Sequence, residues 1–208
     1  MTVGMANTTA VRRDRRRDTI MSVAREVFFE HGYSATSMSA IAARVGGSKG
    51  TLYHYFKSKE ELFEAQVREM CGGVADRMER LEGEPARVLT AVGEQLLQHL
   101  YAEQTVKLFR VLVAEAHRCP ELGRIFFEVG PARGLQGLTA YLQAAKAKGL
   151  VNPLDCALAA DQFASLCKGS VHLKFLLNLI APLTPEEIRA QVAQAVHAFM
   201  GLYGPKGR

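Results

Sequence analysis

The chain lacks the signals that place a protein in a membrane or outside the cell. No apolar run approaches the roughly 18–20 residues that span a bilayer, and the longest, residues 175–183, is interrupted by Asn178. The N-terminus has no apolar segment of a secretory signal. The four cysteines form no C-x-x-C pair and no metal spacing, which is typical of free thiols in a reducing compartment. The sequence therefore predicts a cytoplasmic protein without membrane segments or disulfides.

Motifs of catalysis and cofactor binding are also missing. The chain contains no nucleophile elbow, P-loop, dinucleotide fingerprint or paired-carboxylate arrangement. Its histidines at positions 99, 117, 172 and 197 share no i, i+4 spacing, so they do not indicate a helical metal site. We therefore predict that the protein is not an enzyme and holds neither a cofactor nor a metal ion.

What the sequence does have is an ordinary globular composition with its positive charge confined to the start. The 208 residues are 48% hydrophobic and 23% charged, which is enough to bury a core. Residues 1–59 carry ten Lys/Arg and four Asp/Glu, whereas the remaining 149 residues carry 16 and 17. This distribution favours a small nucleic-acid-binding head on a larger neutral body, and a basic surface without a partner fits it equally well.

Helical periodicity runs through the whole chain, and no β-alternation or hairpin dipeptide predicts a sheet. Four helices fit before the break at residues 82–85, and prolines stand at or next to the starts of the later ones. The later helices are predicted over residues 86–102, 105–118, 121–129, 132–148, 154–180 and 186–203. We expect an all-α protein with an N-terminal domain over residues 1–62, beginning with a flexible arm over residues 1–11, and a larger helical domain over residues 63–208.

The first 60 residues contain one specific motif, two short helices joined by Gly46 and Gly47. Ser37 and Ser48 are suited to cap these helices, and glycine permits the tight turn between them. Leu52 and Phe56 would anchor the second short helix. Its opposite face is polar and consists of Lys49, Gly50, Thr51, Tyr53, His54 and Tyr55. This layout predicts a helix-turn-helix, although either tyrosine taken alone could belong to the core.

Residues 36–42 (TSMSAIA) and 46–62 (GGSKGTLYHYFKSKEEL) resemble the signature of the TetR family of regulators. The resemblance covers about residues 19–63 and implies a three-helix DNA-binding domain followed by a larger ligand-binding and dimerisation domain. It implies base or groove-edge contacts by Lys49, Gly50 and Tyr53. Phosphate contacts, or caps of the contacting helices, are implied at Ser37, Ser48, Thr51, His54, Tyr55 and Lys59.

Two positions depart from that family pattern. Gly47 stands where the turn usually has a small apolar residue, and Ser39 stands where arginine or a longer polar residue is frequent. One expected base contact is therefore missing. A basic cluster could replace it by reaching the DNA backbone or an adjacent minor groove, and a solvated flexible arm is the alternative. The cluster consists of Arg12, Arg13, Arg15, Arg16 and Arg17.

The last two predicted helices are suited to dimerisation. One face of the helix at 154–180 carries small residues, including Ala157 and Ala164, and a second face carries larger ones, including Leu173. A helix that is apolar on two sides must be covered on both. We predict a homodimer through the last two helices, whose apolar stripe includes Ile188 to Phe199; a central place in a monomer core is the alternative.

The middle helices are expected to enclose a small-molecule site, because residues 108–122 and 130–133 resemble the ligand domain of an AefR-like subgroup. The candidate lining residues combine apolar walls with polar groups: Tyr101, Phe109, Leu112, Val113, His117, Phe126, Phe163 and Leu166. We therefore predict a dimeric repressor released from a double-stranded DNA operator by an inducer of unknown identity, with the helix at 63–81 as the lever. The alternatives are an activator and a helical small-molecule-binding protein without repressor action.

Overall fold

The computed structural model of the chain describes residues 3–78 and 81–205, and the side chains of residues 13–73, 77–78 and 81–205. These residues form helices and no strand, which confirms the predicted all-α class. Within them, no helix combines the length and apolarity that a membrane crossing requires. The helices are α1 (Val3–His31), α2 (Met38–Val45), α3 (Lys49–Tyr55), α4 (Lys59–Met78), α5 (Pro85–Tyr101), α6 (Glu103–Glu115), α7 (Pro120–Val129), α8 (Pro131–Ala147), α9 (Cys156–Leu176) and α10 (Pro185–Tyr203).

The chain divides into two compact units, and neither is continuous in sequence. The first contains the residues up to Met70 together with Lys107–Val129, so it holds α1–α3, the start of α4, most of α6 and all of α7. The second contains Cys71–Val106 and the residues from Gly130 onward, so it holds α5 and α8–α10. The domain boundary after residue 62 remains a prediction.

Helix α1 starts much earlier than the sequence indicates. It begins at Val3, so residues 3–11 are helical where a flexible arm is predicted, and residues 1 and 2 of that arm lie outside the described residues. The segment has no proline, and it leads directly into the arginine-rich residues 12–17, which favour helix. Gly32 ends α1 as predicted, with a φ of 79° that glycine adopts without strain.

Aromatic side chains form the centre of the core in the first unit. The rings of Phe28, Tyr33 and Phe63 pack against one another with centroid distances of 5.3–6.4 Å, and all three residues are buried. Such contacts stabilise beyond the apolar area that they bury. They join α1, the loop after it and α4, while Leu52 and Phe56 of α3 are buried as well.

The core of the second unit lies between α5, α8, α9 and α10. Helix α5 approaches α10 so closely that a Cβ atom on Gly93 would lie 2.7 Å from Val192 Cγ1. Phe163 of α9 is fully buried and contacts Phe199 of α10, with ring centroids 5.5 Å apart. The apolar stripe of α10 from Ile188 to Phe199 is buried within the same chain, and dimerisation through the last two helices remains a prediction.

Helix α9 is shorter than the predicted helix at 154–180 and is kinked. Asp155 caps its start and it ends at Leu176, and its backbone leaves the helical conformation at Gly169, where φ is 49°. The Gln191 side chain of α10 donates hydrogen bonds to the carbonyl oxygens of Leu166 (3.3 Å) and Cys167 (3.2 Å). Since a kink interrupts the helical hydrogen bonds next to it, the amide of Gln191 compensates for that interruption.

Candidate nucleic-acid interface and effector residues

The turn between α2 and α3 has the geometry that the sequence predicts. Ser37 and Ser48 cap the two helices, and their Oγ atoms each accept a hydrogen bond at 3.1 Å, from the amides of Ala40 and Thr51. Gly46 adopts a φ of 70°, and the amide of the next residue, Gly47, donates to a carbonyl of α2 at 3.1 Å. These caps fix where each helix begins and ends. The chain therefore contains a well-defined helix-turn-helix.

Helix α3 presents a polar face to solvent. Leu52 and Phe56 are buried, with 2% and 1% of their surface exposed, and hold the helix on the core. Tyr53 is 47% exposed, whereas Tyr55 is half-buried and contacts His54, with ring centroids 5.5 Å apart. The exposed residues are Ser48, Lys49, Gly50, Thr51, Tyr53 and His54. The predicted face is thus accessible to a partner, and its contacts with DNA remain a prediction.

Lys59, at the start of α4, makes internal contacts that the sequence did not predict. Its Nζ atom donates hydrogen bonds to the carbonyl oxygens of Tyr33 (2.7 Å) and Thr36 (2.8 Å), and it lies 4.1 Å from the centroid of the Tyr33 ring. The Tyr33 hydroxyl donates to Glu60 at 3.0 Å, and burial raises the pKa of Tyr33 well above its usual range, as does this hydrogen bond. We call these contacts the Lys59 clamp; it joins the loop after α1 to α4.

Two arginines of the basic cluster lie beside the helix-turn-helix. A Cβ atom on Gly47 would lie 2.9 Å from a terminal nitrogen of Arg16, so glycine leaves room for that guanidinium next to the turn. The Arg17 guanidinium stacks over the Phe56 ring at 5.1 Å. The side chain of Arg12 lies outside the described residues. The departure from the family pattern at Gly47 therefore coincides with an added positive charge at the turn.

The end of α6 contacts the loop between α1 and α2 within the same compact unit. The Ser34 hydroxyl donates a hydrogen bond to the carboxylate of Glu115. The sulfur of Cys119, just beyond α6, lies 3.6 Å from the same hydroxyl. The residues that make this contact are more than 80 positions apart in sequence, and no local pattern predicts it.

The eight predicted effector-site residues are divided between the two units. The first unit holds Phe109, Leu112, Val113, His117 and Phe126, and the second holds Tyr101, Phe163 and Leu166. Phe109 and Phe126 contact each other, with ring centroids 6.0 Å apart. Val113 is 61% exposed and His117 is also exposed, whereas Leu112 is buried. A common site for all eight residues remains a prediction.

Two residues that the effector prediction omitted pack against Tyr101 in the second unit. The rings of Tyr101 and His172 have their centroids 5.8 Å apart, and the Phe175 ring lies 4.6 Å and 6.5 Å from them, respectively. Burial raises the pKa of Tyr101 and lowers that of His172. The i, i+3 spacing of His172 and Phe175 on α9 places both on one helix face and could have indicated them. No cluster of three or more metal-ligating side chains occurs among the described residues.

A helix-turn-helix with an exposed polar second helix and adjacent arginines defines the N-terminal part as a DNA-binding head. Residues 20–66 match the family model described as "Bacterial regulatory proteins, tetR family". Residues 87–205, more than half of the chain, match "AefR-like transcriptional repressor, C-terminal domain". The chain therefore belongs to the TetR family of transcriptional regulators, which confirms the resemblance in the sequence.

Individual relatives agree with this assignment. The transcriptional repressor AcnR of Corynebacterium diphtheriae is 39% identical over 61 residues, which are 29% of this chain and 32% of that protein. The transcriptional regulator AcrR of Shigella flexneri is 27% identical over 126 residues, which are 58% and 57% of the two chains. The matches thus span about a third to somewhat over half of these relatives. The solved structure of the flavonoid-responsive regulator FrrA is 33% identical, with a TM-score of 0.81, and the match covers 93% of this chain and 100% of that one.

Proposed function

We propose that the protein is a dimeric transcriptional repressor that binds double-stranded operator DNA in the cytoplasm and is released by a small-molecule inducer. The observation that carries this proposal is the exposed face of α3. Helix caps and buried side chains hold this helix in place. In a helix-turn-helix, the second helix lies in the major groove and its first residues contact base edges. Lys49, Gly50 and Tyr53 would make these contacts.

The surrounding hydroxyl groups are suited to phosphate. Ser37 and Ser48 use their oxygen lone pairs as helix caps, while a hydroxyl proton can still be donated to a phosphate oxygen. The hydroxyl oxygen of Thr51 lies 2.9 Å from that of Ser48, so these two hydroxyl groups can contact the same phosphate. His54 and Tyr55 extend the same surface towards the end of α3.

Dimerisation would use leucines that the chain leaves exposed on α9 and α10. Leu158, Leu173 and Leu202 are 52%, 59% and 63% exposed. Exposed apolar side chains on two helices of one unit support an interface between two copies. A single head buries too little surface for specific binding, and helix-turn-helix proteins usually contact two half-sites as dimers.

Changing two of these leucines to glutamate should separate the dimer. Charge on an apolar interface opposes association, so the variant Leu158→Glu/Leu202→Glu is expected to run as a monomer in light scattering and to lose operator affinity at least tenfold. Leu154→Glu is the matched control, because Leu154 is 99% exposed and lies before α9 begins. A dimeric double variant with native operator affinity would contradict this interface.

Two structural connections could transmit inducer binding to the head. Helix α4 carries the Lys59 clamp at its start, and its Glu69 accepts a hydrogen bond from Arg25 of α1 at 2.8 Å. Helix α6 reaches the loop after α1 through Glu115 and Ser34. A ligand releases DNA only if it favours the conformation in which the heads no longer fit two half-sites. We propose α4 as the main lever and α6 as a second connection.

The inducer class is proposed from a relative whose match covers 93% of this chain. FrrA is described as flavonoid-responsive, and the candidate site residues of this chain are largely apolar and aromatic. We therefore propose an apolar aromatic inducer.

Selection of genomic DNA fragments by the purified protein tests the proposed function. We expect enrichment of one two-fold symmetric sequence whose half-sites lie about one helical turn apart, close to promoters. Loss of the protein should raise transcription from these promoters; a fall would indicate an activator. Enrichment without a shared sequence would contradict operator recognition.

A further inference from the structure

We infer that Tyr101 and His172 form the hydrogen-bonding end of the effector site, and that this end binds a hydroxyl group carried by an aromatic compound. This inference rests on the proposed function, because it takes the second unit to be the part that binds the inducer. It goes further by assigning two residues and one functional group of the ligand.

The two polar atoms lie within an aromatic cluster. Tyr101 ends α5, while His172 and Phe175 lie on the last turns of α9, and the ring planes of Tyr101 stand at 80° and 66° to those of the other two. Only 8% of Tyr101 and 7% of Phe175 is exposed. Rings at steep angles offer both faces and edges, and another aromatic ring packs favourably on either.

The hydroxyl of Tyr101 and the Nδ1 atom of His172 are buried, and neither has a hydrogen-bond partner among the described residues. Other buried tyrosine hydroxyls of the chain are paired, since Tyr141 donates to the carbonyl oxygen of Gly83 at 2.9 Å and Tyr33 donates to Glu60 at 3.0 Å. Buried polar atoms in native proteins are nearly always paired, because an unpaired one is destabilising. Two such atoms in contacting side chains therefore mark a place where a second molecule completes the hydrogen bonding.

The chemistry of the two atoms specifies the ligand group. Burial keeps the Tyr101 phenol protonated by raising its pKa, so that it donates. Burial, together with the nearby charge of Lys168, lowers the pKa of His172, so the imidazole is neutral and its Nδ1 atom can accept. A hydroxyl accepts from the tyrosine and donates to the histidine through a single oxygen atom. The adjoining Phe175 ring favours an aromatic carrier for that hydroxyl.

The kink of α9 supports a functional role for this region. Gly169, at a φ of 49°, lies three residues before His172 and interrupts the helix between the core residue Cys167 and the aromatic cluster. Conformations of this kind are retained where the surrounding structure requires them, and they are frequent at ligand sites. The kink therefore changes the direction of the segment that carries His172 and Phe175 relative to the preceding part of α9.

A pair of probes that differ by one hydroxyl group tests the inference. The chain has no tryptophan, so the fluorescence of 2-naphthol and naphthalene can be followed without a tryptophan background. The native protein is expected to bind 2-naphthol about tenfold more tightly than naphthalene, because one or two hydrogen bonds to a hydroxyl group stabilise the complex by about that factor. Tyr101→Phe and His172→Phe should each reduce this preference to about threefold or less while the affinity for naphthalene is retained.

Tyr141→Phe is the matched control, because it removes a buried hydroxyl that has a partner. It should keep the tenfold preference but lower the Tm, since the carbonyl of Gly83 loses its donor. Tyr101→Phe should leave the Tm unchanged or raise it, because no internal hydrogen bond is lost. Three results would each overturn the inference. The first is a Tm loss in Tyr101→Phe that equals the loss in Tyr141→Phe. The others are equal affinity of the native protein for both probes and binding of neither probe.

Operator binding measured without any probe keeps this test separate from the proposed function. A native protein that prefers 2-naphthol but selects no operator would support the site and contradict the repressor. A native protein that binds its operator but does not distinguish the two probes would contradict the site and leave the repressor intact.

Discussion

The double variant Lys49→Ala/Tyr53→Ala is expected to bind the operator at least a hundredfold more weakly than the native protein. Both residues lie on the exposed face of α3, where the second helix of a helix-turn-helix meets base edges. Each base-contacting side chain contributes about 1–3 kcal/mol, so two together account for a factor of this size. The buried anchors Leu52 and Phe56 are unchanged, and the fold should therefore be unaffected.

Fluorescence anisotropy of labelled operator DNA measures this loss, and circular dichroism on heating checks the fold. Lys148→Ala is the matched control, because Lys148 is also exposed but follows α8 in the second unit. The control should bind with native affinity. Operator binding by the double variant within threefold of native would mean that α3 does not read the DNA.

The variant Lys59→Ala is expected to lower the free energy of unfolding by about 2–3 kcal/mol, because it loses hydrogen bonds from a charged donor and one cation–π contact. The substitution removes the donor for the carbonyl oxygens of Tyr33 and Thr36, and both of these residues are 3% exposed. Their carbonyl groups would then have to find other partners. The loop between α1 and α2 should also become more mobile.

Denaturation by urea, followed by circular dichroism, checks this prediction. Lys57→Ala is the control, because the exposed Lys57 carries the same charge two residues earlier, and its unfolding free energy should stay within about 0.5 kcal/mol of native. The family resemblance implies a phosphate contact at Lys59, which makes a different prediction. Native stability combined with weaker DNA binding in Lys59→Ala would favour the phosphate contact over the clamp.

The helix-turn-helix was predictable because its determinants are local. Ser37 and Ser48 bond to amides three residues away, and Gly46 sets the turn by its own backbone conformation. The spacing of Leu52 and Phe56 decides which side of α3 is buried. Each of these features depends on a few neighbouring residues, so a single sequence contains the necessary information.

The features that the sequence did not reveal depend on contacts between distant residues. The Lys59 clamp joins residues 23 and 26 positions apart, and Glu115 reaches Ser34 across 81 positions. The sequence does not distinguish Gly169 from an ordinary helical glycine, because the kink there depends on compensating hydrogen bonds from Gln191. The burial of the α10 stripe follows from the close approach of α5 at Gly93, and a periodic pattern cannot distinguish that neighbour from a second copy of the chain.

The most direct test of the central claim is an anisotropy titration of the native protein on the selected operator and on a scrambled duplex, across a salt series. Specific recognition by α3 predicts a Kd on the operator at least about a thousandfold below that on the scrambled duplex near physiological salt. Added inducer should remove this difference. Equal and steeply salt-dependent binding to both duplexes would show that the protein contacts only the DNA backbone, and it would contradict the assignment of α3 as a sequence-reading helix.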